Sequence, residues 1–156
     1  MTQGTDQATD RDGLLAEQLL RLTRRMHRVN KRLLEESGLG ITPAQSRLLR
    51  VLSHHLAHHD EPPRMADLAA RMEIVPRAIT TLVDGLEAGG CVRRAPDPAN
   101  RRVIRIELTD TGREALRTLR DARRSAAQDI LAPLTAEQRE VFGSLLSALV
   151  DEPGRH

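Results

Sequence analysis

The chain has 156 residues, with 24 Lys and Arg against 22 Asp and Glu, and its 39% hydrophobic residues include one Phe and no Trp or Tyr. A single Cys excludes an intramolecular disulfide framework, no apolar run reaches the ~20 residues of a membrane span, and the polar first ten residues lack a signal-peptide core, so the expected location is cytoplasmic. The lack of aromatics argues against RNA or single-strand binding, which needs base-stacking side chains, and leaves a Leu, Val, Ile, Ala and Met core suited to helix packing.

Residues 1–10 are rich in Gln, Thr, Asp and Gly and are expected to form a disordered tail. Apolar residues then recur at Leu15, Leu19, Leu22, Met26, Val29 and Leu33. This four–three spacing predicts a helix with a stripe close to a coiled-coil seam, stopped near Ser37-Gly38. Thr42-Pro43-Ala44-Gln45 is a capping box with Pro at the first helical position, and it predicts a second helix through Leu48, Leu49, Val51 and Leu52 to about His58. After the Asp60–Pro63 loop, a short third helix is expected over Met65–Met72 and a fourth from Pro76 to about Ala88, ended by Gly89-Gly90.

A short strand is expected at Cys91–Arg94 and another at Val103–Leu108, the latter with Ile104, Ile106 and Leu108 on one face. Between them, Ala95–Asn100 holds two prolines and reads as a turn-rich tip. Thr109 can cap a fifth helix through Leu116, Leu119 and Ile130. Thr135-Ala136-Glu137-Gln138 is a further capping box, starting a sixth helix with Val141, Phe142, Leu145, Leu146 and Leu149. The fold class is therefore mainly α, an α+β winged helix-turn-helix of six helices and a two- to three-stranded wing sheet.

Two short helices, a glycine stop and a strand–basic loop–strand are the plan of a reader of duplex DNA. Only Lys31 of the 24 basic residues is Lys, and Arg offers a planar fork suited to phosphates and guanine edges. Between Arg93 and Arg105 stand five Arg and one acid, Asp97. On the fourth helix Ile79, Leu82, Val83 and Leu86 form the inward stripe, leaving Pro76, Arg77, Thr80, Thr81 and Asp84 outward. Arg77 suits a guanine edge, and Thr80 and Thr81 suit a phosphate or a thymine methyl. Arg101 and Arg102 at the wing tip suit the minor groove, Asn100 beside them is a further DNA-contact candidate, and Arg94 and Arg64 are further phosphate candidates. Cys91 reads as a small buried hydrophobe.

His54, His55, His58 and His59 form two pairs one helical turn apart. That spacing can bring two imidazoles to one metal, or it is a polar helix end favoured by the helix dipole. A pair supplies half of a tetrahedral shell, so no metal and no other cofactor is expected. No nucleophile motif or Gly-rich phosphate loop stands out, and an enzyme is not expected. The first, fifth and sixth helices carry apolar stripes longer than a small DNA-binding unit covers, which predicts a homodimer. Its two reading helices would fall about 34 Å apart.

Leu68-Ala69, Thr80, Leu82-Val83-Asp84, Leu86-Glu87, Gly90, Val92 to Arg94, Asp97-Pro98, Arg101-Arg102 and Leu108-Thr109-Asp110-Thr111-Gly112 stand at a spacing that resembles the MarR family of bacterial transcriptional regulators. The resemblance spans about residues 12–150. It implies one domain over 11–150, with dimerisation helices at 12–37 and 110–150, a winged helix-turn-helix at 42–109 and a tail at 151–156. It further implies a homodimer that binds a pseudo-palindromic operator, with repression the expected mode. A small-molecule effector is implied at the junction of the dimer helices and the DNA-binding lobe, where His27 and Met26 are the candidates.

Two positions depart from the family pattern. Val75 stands where Ser is usual and cannot cap the fourth helix. Asn100 stands where an Asp would orient the wing Arg, and offers only a neutral hydrogen bond. Two other readings stand beside this resemblance: a metal-responsive regulator using the 54–59 histidines, and a helical interaction module without DNA binding, which only these two departures support.

Overall fold

A computed structural model of the chain describes residues 3–150, with side chains from Gly13 onward. The elements are α1 (Gln3–Glu36), α2 (Pro43–His58), α3 (Met65–Met72), α4 (Pro76–Ala88), β1 (Val92–Pro96), β2 (Ile104–Leu108), α5 (Asp110–Leu131) and α6 (Ala136–Val150). They form two compact units, one ending at Arg120 within α5 and one beginning at Asp121.

In the first unit, α1 starts at Gln3, so most of the tail expected over residues 1–10 is continuous with the helix. No Pro interrupts residues 3–12, and a formed helix extends by one hydrogen bond for each residue it fixes. Residues 1–2 and the expected tail at 151–156 lie outside the described residues. The helix stops where Gly38 turns left-handed at φ +65°. The Thr42 capping box is present in full: Thr42 Oγ1 accepts from Gln45 N (3.2 Å) and Gln45 Oε1 accepts from Thr42 N (2.8 Å).

Helices α2, α3 and α4 bury one face each. Leu48, Leu49 and Leu52 meet Leu68, Ala69 and Met72, and both sets meet Ile79, Val83 and Leu86. Val92, Ile106, Leu108, Ala115, Leu116 and Leu119 close the same core. Leu82, expected on the inward stripe, is half-buried against it. Between α3 and α4 the chain turns through Glu73 at φ 56°, a non-glycine residue in the left-handed region.

The sheet has two strands, paired antiparallel from Val92↔Leu108 to Pro96↔Ile104. The expected third strand is reduced to one bridge, Arg64↔Arg105. Strand β1 runs two residues beyond the expected Arg94 and includes Pro96. Each strand of a two-stranded ribbon has an open edge, where a residue without N–H is tolerated. Ile104 is 39% exposed although it shares a face with buried Ile106 and Leu108, because the ribbon projects past the core at that end.

Thr109 joins the ribbon to α5. Its Oγ1 donates to Gly90 O (2.6 Å) and accepts from Gly112 N (3.0 Å), while its own N–H donates to Cys91 O (3.1 Å). Gly112 is obligatory here: a Cβ on it would fall 2.1 Å from the Cys91 carbonyl oxygen.

The second unit contains the end of α5 and α6. The Thr135 box caps α6, with Gln138 N donating to Thr135 Oγ1 (3.2 Å) and Thr135 N to Gln138 Oε1 (2.9 Å). No residue of α6 is buried; Val141, Leu145 and Leu149 are 57%, 59% and 70% exposed.

Candidate nucleic-acid interface

Helix α4 anchors through Ile79, Val83 and Leu86, which forces the opposite face outward. Pro76, Arg77, Thr80 and Thr81 are all exposed on that face. Pro76 occupies the first turn, and Val75 before it makes no side-chain cap, as its chemistry requires. The hydroxyls of Thr80 and Thr81 donate to the carbonyls of Pro76 (3.1 Å) and Arg77 (3.2 Å). Each Thr oxygen keeps acceptor capacity beyond that bond.

The wing tip is organised by Asp97, which is 5% exposed. Its Oδ1 accepts from the N–H groups of Ala99 (2.8 Å) and Asn100 (2.9 Å), and its Oδ2 pairs with Arg105. The Arg105 side chain is 11% exposed and also donates to Pro62 O (2.7 Å) and to Glu61. The Arg105 guanidinium, followed by the Asn100 N–H, holds the Asp97 carboxyl below its usual range. One buried acid thus ties the wing to the loop before α3. The sequence marked Asp97 as the lone acid of a basic run and as part of the family motif, but not as a tie between the wing and a distant loop. Its local signal was an Asx turn, whereas the partners Glu61 and Pro62 lie more than 30 positions away. Asn100 does not reach the guanidinium of Arg102; its Oδ1 accepts from the Arg102 backbone N–H (3.1 Å) and fixes the turn instead.

The arginines of this region divide into two groups. Arg93 pairs with its cross-strand neighbour Glu107. Arg94 is held by Asp84 and Glu87 of α4, and its backbone N–H donates to Glu87 as well (2.9 Å). Arg105 is bound as above. The guanidinium of Arg94, a phosphate candidate from sequence, is therefore taken by two carboxylates, and it locks β1 to α4. Arg77, Arg101 and Arg102 are exposed, with no ion pair or hydrogen bond from their side chains to any described residue. Arg64 is exposed at the start of α3, where its N–H donates to Asp67 (2.9 Å).

The remaining candidates sit apart from this face. His27 and Met26 are exposed on α1. A cleft of about 400 Å³ opens at the base of the wing, lined by Leu56, Pro62, Arg93, Glu107, Thr109, Asp110 and Arg113 among others; His27 and Met26 are not part of its wall. The histidines of α2 stack as pairs, His54 on His58 and His55 on His59, with ring centroids 4.3 Å apart in each. Among the described residues no three His, Cys, Asp or Glu gather as a metal shell. His55 is buried; its Nε2 meets Glu61 O (3.1 Å), its Nδ1 has no partner among the described residues, and burial lowers its pKa. Cys91 is buried, and burial pushes its thiol up, away from the thiolate. Among the described residues no helix is long and apolar enough to cross a membrane.

Comparison with known proteins agrees with this geometry. A family model described as the MarR family matches residues 39–103, which spans α2 to the wing tip. The chain is 30% identical over 128 residues to the HTH-type transcriptional repressor MdtR of Bacillus subtilis, covering 81% of this chain and 79% of that one. Among solved structures it is similar to YusO from Bacillus subtilis, with a TM-score of 0.77 and 26% identity over 96% of this chain and 99% of that one. It is also similar to a MarR family protein from Bacillus stearothermophilus, with a TM-score of 0.75 and 25% identity over 92% and 96% of the two chains.

Proposed function

The chain belongs to the MarR family of transcriptional regulators, and on that premise we propose that it is a homodimeric repressor that binds a pseudo-palindromic operator in duplex DNA and is released by a small-molecule effector. The observation that carries this reading is the division of the arginines. Carboxylates neutralise Arg93, Arg94 and Arg105, which build the frame. Arg77 on the outward face of α4 and Arg101 and Arg102 at the wing tip keep their charge for an external anion. In this reading the first turn of α4 meets base edges in the major groove, and the wing lies along the adjacent minor groove. Thr80 and Thr81 supply further contacts and Arg64 a phosphate contact.

Dimerisation is supported by apolar surface that a single chain leaves open. Leu14, Leu15, Leu19 and Leu20 of α1 are 54–63% exposed, and α6 presents Val141, Leu145, Leu149 and Val150. Covering them with a second copy removes an aggregation liability. The cleft at the wing base has the size of a small-ligand site, and it touches β1, β2 and the start of α5 together. A ligand there bears on the hairpin that carries the wing; His27 and Met26, which lie outside its wall, would contribute only to a separate effector site on α1.

The test is binding to duplex DNA, beginning with the DNA upstream of the chain's own gene and followed by site selection from a random pool. Selected sites should be paired half-sites about one helical turn apart, bound by a dimer in sedimentation. Arg77→Ala should alter the selected sequence as well as the affinity, because it sits beside base edges. Binding as a monomer to unpaired sites, or an unaltered consensus for Arg77→Ala, overturns this arrangement.

A further inference from the structure

Helix α2 contains no acidic residue, yet Arg47, Arg50 and His54 follow one another at i, i+3 and i+7 along its outer face. Arg71, in the last turn of α3, faces the same groove. Val51 completes its lining, and no carboxylate takes part. Arg47 and Arg50 are exposed and have no ion pair or side-chain hydrogen bond among the described residues. Among the described residues Arg71 has only the ring of His59 as a hydrogen-bond partner, at 3.1 Å. Like charges one turn apart weaken a helix rather than support it. Folding therefore gives no reason for this arrangement, whereas an external anion does.

We propose that this groove is a second phosphate-binding track, which takes the sugar-phosphate backbone of DNA flanking the operator half-site. The inference rests on the DNA-binding reading above. Two observations favour a strand of DNA over a free anion. First, the donors spread along seven residues of helix, about 10 Å, too far for one small anion to touch all of them. Second, the track is continuous with the reading face. Arg47 also lines the neighbouring groove with Pro43, Ala44, Ala78 and Thr81, so the outer face of α2 and the exposed face of α4 meet at this side chain. DNA seated on α4 thus has a cationic path leading away from it across α2 to Arg71.

The full-length protein is titrated with two duplexes over a salt series, one confined to the selected site and one extended by a helical turn on each side. Arg47→Ala/Arg50→Ala removes four cations per dimer. On the long duplex the slope of log K against log salt should become shallower by as much as about 3.6, with the selected consensus unchanged. On the short duplex the slopes of the two proteins should coincide. Arg47→Lys/Arg50→Lys, which keeps the charge, should restore the wild-type slope. Coincident slopes on the long duplex overturn the proposal while leaving the operator reading intact. A wild-type protein that binds no duplex even at low salt removes the DNA reading and this inference with it. A rise in thermal midpoint with inorganic pyrophosphate for the wild type but not for the Ala variant, together with coincident DNA slopes, makes the groove a small-anion site and refutes a DNA track.

Discussion

Gly112→Ala tests the joint on which the wing is hung. The added Cβ would lie 2.1 Å from the Cys91 carbonyl oxygen, 2.7 Å from Leu108 Cδ1 and 3.0 Å from the Cys91 carbonyl carbon. Carbon contacts are comfortable near ~3.5 Å, so the first turn of α5 must retreat by roughly 1 Å or more. The obstacle is backbone, which has no rotamer to change. That retreat strains the bonds from Thr109 N to Cys91 O and from Thr109 Oγ1 to Gly90 O. Overpacking of this kind costs about 1–3 kcal/mol, and each weakened hydrogen bond about 1 kcal/mol more. The better helix propensity of Ala returns about 1 kcal/mol. The net loss is about 2–4 kcal/mol, which at ~2–4 °C per kcal/mol for a chain of this size lowers the thermal midpoint by about 4–16 °C. Gly143→Ala is the internal control. It lies within α6 with nothing within 4 Å of a built Cβ, and it should stabilise by about 0.5–1 kcal/mol. Chemical denaturation at one fixed protein concentration compares the two, since a dimer's stability depends on concentration. A Gly112→Ala midpoint at or above the wild type would refute the claim that this position is sterically closed.

Three further outcomes are expected. Arg102→Ala should leave the thermal midpoint unchanged, because its side chain is exposed and unpaired, and should make the salt dependence of operator binding shallower by about 0.9 for each phosphate that Arg102 neutralises; an unchanged slope would take this side chain out of the interface. Burial lowers the pKa of His55, so the unfolded chain binds its proton first: stability is complete above the unfolded value of about 6.5 and declines as pH falls below it toward the folded value. His55→Gln keeps a donor for Glu61 O and should flatten that decline in denaturation midpoints between pH 7 and 5; an identical pH profile would show that His55 is not its source. Cys91, buried with a raised pKa, should react with a thiol reagent at pH 8 far more slowly in the native protein than in denaturant, and equal rates would contradict its burial.

The sequence by itself determined the elements and the outward face of α4. Helix boundaries at Thr42-Pro43, Met65–Met72, Pro76 and Thr135 were legible because caps, proline and glycine act on their immediate neighbours. The outward set Arg77, Thr80 and Thr81 followed from helical periodicity alone, since Ile79, Val83 and Leu86 must point inward. Where a signal ran out along the chain, the prediction was wrong or silent. The start of α1 at Gln3 has no cap to mark it, and Pro96 entered a strand that composition would have ended earlier. Above all, the sequence shows five arginines between residues 93 and 105 as one basic run. Only the tertiary structure separates them, by bringing Asp84 and Glu87 to Arg94, and Glu61, 44 residues away, to Arg105. A side chain's charge is local, but whether it is neutralised depends on which distant carboxylate the fold sets beside it. That decides which arginines hold the protein together and which keep an exposed, unpaired charge.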